Sequence, residues 1–330
     1  MSFRSIGIVG AGAWGTALAQ TMRLAGRETL LWAREREVVD DINTRQANAA
    51  FLPGVTLDAG VRATDSFAAI TTCDVVLLVV PAQHCRTVCT ALAQHWTTGK
   101  PLVVCAKGLE QTTGQLLVDV VADVLPTRVA VLSGPSFAAD VARGLPAALT
   151  LACADDALGA ALVDALGYRQ FRLYRSTDMV GVQLGGAVKN VLAIAAGIVE
   201  GRALGTSAHA AVVTRGFAEL RRFGEALGAR PETLMGLSGL DDLLLTCGSP
   251  QSRNMSLGRA LGQGKLLAAV LGERRSIAEG VYTAAAVTRV ADEKGIDMPI
   301  CQAVQAIVAG ELSVDAAIEG LLSRPFKAEA

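Results

Sequence analysis

The rhythm of apolar and polar positions changes near residue 176. Upstream, short runs of β-branched and aliphatic residues are punctuated by turn residues and helically spaced stretches, predicting strands at 6–9, 28–33, 61–64, 74–80, 102–106, 129–132, 147–153 and 170–174. The run Val75-Val76-Leu77-Leu78-Val79-Val80, closed by Pro81, reads as a central strand buried on both faces. A helix is expected at 155–166 between the last two strands. Downstream, apolar positions recur every three to four residues, predicting helices at 180–199, 206–227, 257–271, 284–294 and 303–309. Ser176-Thr177-Asp178 supplies cap residues for the first of these. The pattern divides the chain into an α/β domain over 1–176 and an all-helical domain over 177–330, packed closely around a cleft.

The sharpest local signal is Gly10-Ala11-Gly12-Ala13-Trp14-Gly15, set between the first strand and an apolar-striped helix. Gly10 permits a tight turn, Gly12 lets backbone approach a pyrophosphate, and Gly15 lets the helix sit against the strand. The unpaired N–H groups at the helix start favour an anion. This context predicts a Rossmann-type doubly wound sheet. An acidic residue at the end of the second strand would select NAD, whereas a basic one accommodates a 2′-phosphate. Ala33 and Arg34 stand there, so NADP is accepted, while Glu35 leaves NAD open; the same charges could simply solvate a helix start.

Loops at the carboxyl ends of such strands hold ligands. His84 lies in one, but without a carboxylate or hydroxyl nearby in sequence it reads as structural, as do His95 and His209. Lys107 follows the next strand and can meet a phosphate, or be a surface lysine. Ser133-Gly134-Pro135-Ser136-Phe137-Ala138 offers N–H and hydroxyl donors, though its spacing alone describes only a turn. In the helical half, Lys189 stands among Leu184, Val188, Val191, Leu192 and Ile194. Burying it would lower its pKa and suit proton transfer near neutrality; the alternative is a lysine snorkelling to the surface. Asp242 could hold an ammonium, and Arg253 and Asn254 are of the kind that bind a phosphomonoester.

Composition narrows the picture further. Hydrophobic residues are 51% of the 330 but aromatics only 4%, so the cores rest on Ala, Val and Leu. A net charge of −1 gives no reason to expect nucleic acid or an anionic membrane. The N-terminus imitates a signal peptide through Arg4 and Ala17-Leu18-Ala19, yet the glycine fingerprint accounts for the same residues. No apolar run is expected to span a membrane. Seven cysteines without CxxC pairs fit reduced thiols in the cytoplasm rather than a metal site or disulfide frame.

Taken together, these motifs resemble the bacterial NAD(P)-dependent glycerol-3-phosphate dehydrogenases. The likeness runs from residues 10–19 through 105–110, 132–138, 189–191 and 239–243 to 252–254 and 278–280. It implies an all-α second domain like the C-terminal domain of 6-phosphogluconate dehydrogenase. It also implies reversible reduction of dihydroxyacetone phosphate to sn-glycerol 3-phosphate with NADPH, NADH also being accepted, in support of glycerophospholipid synthesis. By resemblance Lys189 is the catalytic acid/base, supported by Asn190, Asp242 and Thr246. Gly134, Ser136, Lys189, Asp242, Ser252, Arg253 and Asn254 would bind substrate together with Lys107, and Lys107 and Arg253 would also touch cofactor. Gly10, Gly12, Ala13, Trp14, Gly15, Arg34, Ala138, Ile277 and Glu279 would complete the cofactor site. Ala13 departs from the serine many relatives carry; a backbone contact survives that change and a hydroxyl contact does not. Two rival readings are a β-hydroxy-acid dehydrogenase, which would place Asn four residues after the lysine, and a non-catalytic NAD(P) sensor, which would not need Lys189, Asp242 and Arg253 together. A homodimer is the expected assembly because two-fold dimers are the commonest.

Overall fold

The computed structural model describes residues 3–272 and 278–325. Among these, eight strands form one sheet: β1 Ser5–Val9, β2 Glu28–Trp32, β3 Val61–Thr64, β4 Val75–Leu78, β5 Pro101–Val104, β6 Arg128–Ser133, β7 Ala147–Cys153 and β8 Phe171–Ser176. Their order is β3-β2-β1-β4-β5-β6-β7-β8. Between them run α1 Ala13–Leu24, α2 Arg36–Arg45, α3 Phe67–Ile70, α4 Cys85–Ala93, α5 Leu117–Val124, α6 Ala138–Ala142 and α7 Asp156–Leu166.

The period of two along each strand decides which layer each residue meets. Val75 and Leu77 of β4 pack with α1, α2, α6 and α7, whereas Val76 and Leu78 pack with α3, α4 and α5. Because both faces are covered, β4 has no polar position to spend.

The doubly wound arrangement holds for the parallel strands β1 to β6, but β7 runs antiparallel to β6, with Ser133 opposite Thr150 and Ala130 opposite Cys153. The short connection through α6 never carries the chain to the far edge of the sheet, so β7 starts at the end where β6 stops. β8 then pairs parallel with β7.

The other half is built from α8 Met179–Gly201, α9 Thr206–Ala226, α10 Pro231–Met235, α11 Asp242–Cys247, α12 Arg253–Gly262, α13 Leu267–Gly272, α14 Gly280–Glu293, α15 Pro299–Val308 and α16 Val314–Leu322. Asp178 caps α8, accepting the Gly181 N–H at 2.8 Å, and its second oxygen accepts the Arg230 N–H at 2.8 Å. The helix expected at 257–271 is two, α12 and α13, parted at Gly264, whose φ of +86° no helix accommodates.

α8 bears on the expectation that no apolar run spans a membrane. It is long and apolar enough to cross a membrane by length and composition, but 94% of the qualifying window lies inside the protein. The helix is the axle of the second core, on which the other helices pack. Its closest neighbour is α12: a Cβ on Gly197 would stand 2.1 Å from the Met255 carbonyl oxygen, and one on Gly258 2.0 Å from that of Ile194. Backbone therefore meets backbone, which draws the start of α12 against the middle of α8. The loop after β5 ties the halves together by burying Leu109 in the helical core.

Candidate active site

The glycine turn is built as a backbone site. Gly10 has φ +116°, and a Cβ there would meet the Val79 carbonyl oxygen at 2.9 Å. A Cβ on Gly15 would lie 1.8 Å from the Gly10 oxygen, so α1 could not start where it does with any side chain at that position. A Cβ on Gly12 would meet nothing within 4 Å, and no side chain caps α1. The start of the helix is thus without a side-chain cap and has room at Gly12 for a ligand, the arrangement an anionic pyrophosphate fits. Ala13 and Trp14 are the first two residues of α1, and Ala138 begins α6, which packs beside it.

Arg34 sits just past the end of β2, highly exposed, with Glu35 accepting from both Nε (2.9 Å) and Nη2 (2.6 Å). Being at the surface, this pair is weak enough to open for a stronger anion.

Lys189 lies in the middle of α8, and its side chain is only 8% exposed. Its Nζ donates to Asp242 Oδ1 and, at 2.8 Å, to Thr246 Oγ1. The other carboxylate oxygen of Asp242 accepts Lys107 Nζ at 2.7 Å, and Lys107 also donates to the Gly134 carbonyl at 2.9 Å. One buried carboxylate is therefore shared by two ammonium groups, one from each half of the molecule. Burial is the main influence on Lys189, bringing it down to about 7; Asp242 opposes the shift and Lys107 reinforces it.

Backbone features fix this cluster. A Cβ on Gly185 would stand 2.3 Å from the Ser238 carbonyl oxygen, and one on Gly186 2.7 Å from Ser133 Oγ, so α8 reaches both the wide helical turn Leu237–Asp241 and the end of β6. The wide turn aims Asp242, at the start of α11, towards Lys189. Asn190 Nδ2 donates to the Lys107 carbonyl at 3.3 Å, holding the loop that carries the second lysine.

The residues expected on the phosphate side begin α12 but differ in availability. Ser252 caps the helix, its Oγ accepting the Met255 N–H at 3.2 Å and leaving its O–H to donate. The Asn254 amide is largely committed: Nδ2 donates to Asn190 Oδ1 at 2.9 Å, and Oδ1 accepts the Gly280 N–H at 3.0 Å. Asn254 therefore fastens α8, α12 and α14 to one another and keeps one N–H for a ligand. Burial lowers the Arg253 pKa, with Glu279 opposing it. Glu279 Oε1 accepts the Ala82 N–H at 3.2 Å across the cleft, and burial pushes its carboxyl up to about 7. Ser136 Oγ donates to the Gly134 carbonyl at 3.2 Å, near Lys107. Ile277 lies outside the described residues.

His84 adjoins the cleft beside Pro81, Gln83 and Glu279 but is remote in role from the lysine pair, and His209 spends its Nε2 on the Cys247 carbonyl at 3.1 Å. No group of three or more His, Cys, Asp or Glu side chains suited to a metal occurs among the described residues.

Comparison with known proteins identifies the family. The family model for the NAD-dependent glycerol-3-phosphate dehydrogenase N-terminus matches residues 5–159, and that for the C-terminus residues 178–319. The chain is similar to glycerol-3-phosphate dehydrogenase (NAD(P)+) of Parvibaculum lavamentivorans, 58% identical with 100% of this chain and 99% of the relative covered. It is 57% identical to the Caulobacter vibrioides protein of the same name, with 100% of each covered. A crystal structure of glycerol-3-phosphate dehydrogenase from Coxiella burnetii superposes with a TM-score of 0.94 at 37% identity, covering 98% of this chain and 99% of that one. A ketopantoate reductase from Ralstonia eutropha, at 18% identity and a TM-score of 0.60, shares the fold alone. The chain belongs to the NAD-dependent glycerol-3-phosphate dehydrogenase family.

Proposed function

We infer that this protein is an NAD(P)-dependent glycerol-3-phosphate dehydrogenase that interconverts dihydroxyacetone phosphate and sn-glycerol 3-phosphate, with Lys189 as its acid/base. The observation that carries the assignment of roles is the shared carboxylate: Lys189 and Lys107 meet on Asp242 where the two halves join. The glycine turn and uncapped start of α1 fit a dinucleotide, held by Gly10, Gly12, Ala13, Trp14 and Gly15, with Ala138, Lys107, Arg253 and Glu279 around it. When bound, its nicotinamide supplies the hydride for the substrate's C2. As C2 is reduced, negative charge grows on the ketone oxygen; Lys189 stabilises that oxygen and gives it a proton. With a pKa brought to about 7, the amine can donate in reduction and accept in oxidation. Thr246 and Asp242 hold the ammonium in place, and Lys107 supplies a second positive charge beside it.

Arg253, Ser252 and the remaining N–H of Asn254, at the start of α12, would grip the phosphate together with Gly134 and Ser136. Binding energy from this non-reacting group fixes the reacting carbon. The reductive direction would supply glycerophospholipid synthesis. Seven buried free thiols suit a reducing cytoplasm, and a two-fold homodimer is the assembly we expect.

Initial rates with NADPH, NADH and dihydroxyacetone phosphate test this reading. Dihydroxyacetone phosphate drives dinucleotide oxidation, and Arg34→Ala raises KM for NADPH about tenfold while changing KM for NADH less than about twofold, since only NADPH carries the 2′-phosphate. No turnover with this substrate would refute the activity; equal effects on both dinucleotides would remove Arg34 from 2′-phosphate recognition.

A further inference from the structure

We propose that Asn48 is a positioning residue for the dinucleotide-binding turn: its side-chain amide holds the Ala11 carbonyl inward, so that the Gly12 N–H faces the pyrophosphate. The proposal rests on the dinucleotide reading of the glycine turn and adds a residue from the irregular connection after α2, far from the turn in sequence.

Asn48 is only 1% exposed, and a buried amide is costly unless its bonds are made. Its Nδ2 donates to the Ala11 carbonyl at 2.8 Å and to Thr16 Oγ1 at 2.8 Å, and its Oδ1 accepts the Phe51 N–H at 3.2 Å. Thr16 Oγ1 itself donates to the Ala11 carbonyl at 3.3 Å. Two side chains thus converge on one carbonyl oxygen in the middle of the fingerprint. In a planar trans peptide the C=O and the following N–H point to opposite sides. Holding the Ala11 oxygen on the side of Asn48 and Thr16 therefore turns the Gly12 N–H to the opposite side, at a residue with room around it for a ligand. The turn is pinned on its other side by the Gly10 N–H, which donates to the Trp32 carbonyl at 3.1 Å. Asn48 is in turn anchored to α2, because Asp41 accepts the neighbouring Ala49 N–H at 2.9 Å.

This role has a signature distinct from that of Arg34. The pyrophosphate is common to NADPH and NADH, so loosening the turn weakens both by one factor.

Calorimetric titration of each dinucleotide, without substrate, into the unaltered protein, Asn48→Ala and Thr16→Val tests the proposal. Asn48→Ala is expected to raise Kd for NADPH and NADH alike by about five- to tenfold, the worth of a buried hydrogen bond, with kcat at saturating cofactor unchanged. Thr16→Val, which keeps its shape, is expected to raise both by about two- to threefold. An unchanged Kd in folded Asn48→Ala, whatever its melting temperature, would overturn the proposal, as would unequal factors for the two dinucleotides. Should Asn48→Ala not fold, Thr16→Val decides, and an unchanged Kd there would overturn it. Failure of the unaltered protein to bind either dinucleotide would refute the cofactor reading as well, a separate result.

Discussion

Lys189→Met lowers kcat for dihydroxyacetone phosphate reduction by roughly a thousandfold, within the range set by losing a positioned proton donor and its charge. KM for NADPH changes less than about twofold, because the glycine turn and Arg34 are untouched. Methionine has nearly the length of the lysine stem and suits the buried middle of α8. Asp242 keeps Lys107 as its partner at 2.7 Å, so the buried carboxylate is not stranded and the fold survives. Steady-state kinetics with a melting curve on the same preparation separates the chemical loss from unfolding. Retention of turnover near the unaltered value would take Lys189 out of the reaction.

The second large effect is at Asp242. Replacing it with Asn leaves two ammonium groups crowded around a neutral amide in a site where the carboxylate side chain is 1% exposed. Breaking such a buried pair costs about 3–5 kcal/mol when the stranded charge cannot relax. Here it can: Lys189, already brought to about 7, sheds its proton more readily once its counter-charge is gone. At pH 7.5 the charged fraction of the amine, about a quarter in the unaltered protein, falls about tenfold for each further unit of pKa lost, and reduction of dihydroxyacetone phosphate by the variant slows by the same factor. Oxidation of glycerol 3-phosphate, which needs the neutral amine, suffers less. Equal losses in both directions would show that Asp242 acts by holding geometry alone.

Much of the fold and the site is legible in the sequence. A strand running into Gly10-x-Gly12-x-x-Gly15 announces itself because each glycine answers a local backbone demand, and Lys189 stands out because an ammonium in an apolar helix needs a reason. What stayed hidden depends on contacts distant in sequence. Nothing in 134–146 says that β7 will reverse against β6. The wide turn at Leu237–Asp241 carries no composition signal, although it aims Asp242. The commitment of the Asn254 amide to Asn190 and Gly280 arises only when α8, α12 and α14 meet. Asn48 carries no signal in the sequence because its partners, Ala11 and Thr16, lie more than thirty residues away. Apolar spacing also ran on through Gly264, hiding the break between α12 and α13, and a single lysine masked the membrane-like length of α8.

The pH dependence of kcat/KM in both directions, measured from about pH 6 to 9.5 and corrected for the ionisation of the substrate phosphate, whose second pKa is about 6, tests the central claim that one buried lysine passes the proton each way. Reduction needs the charged amine and oxidation the neutral one, so the account predicts that reduction falls and oxidation rises through a shared midpoint near 7, set by the pKa of about 7. These opposed limbs should vanish in Lys189→Met, whereas Glu279, also brought to about 7, would act on both directions in the same sense. Midpoints near that of an ordinary surface lysine, or limbs that persist in the variant, would contradict it.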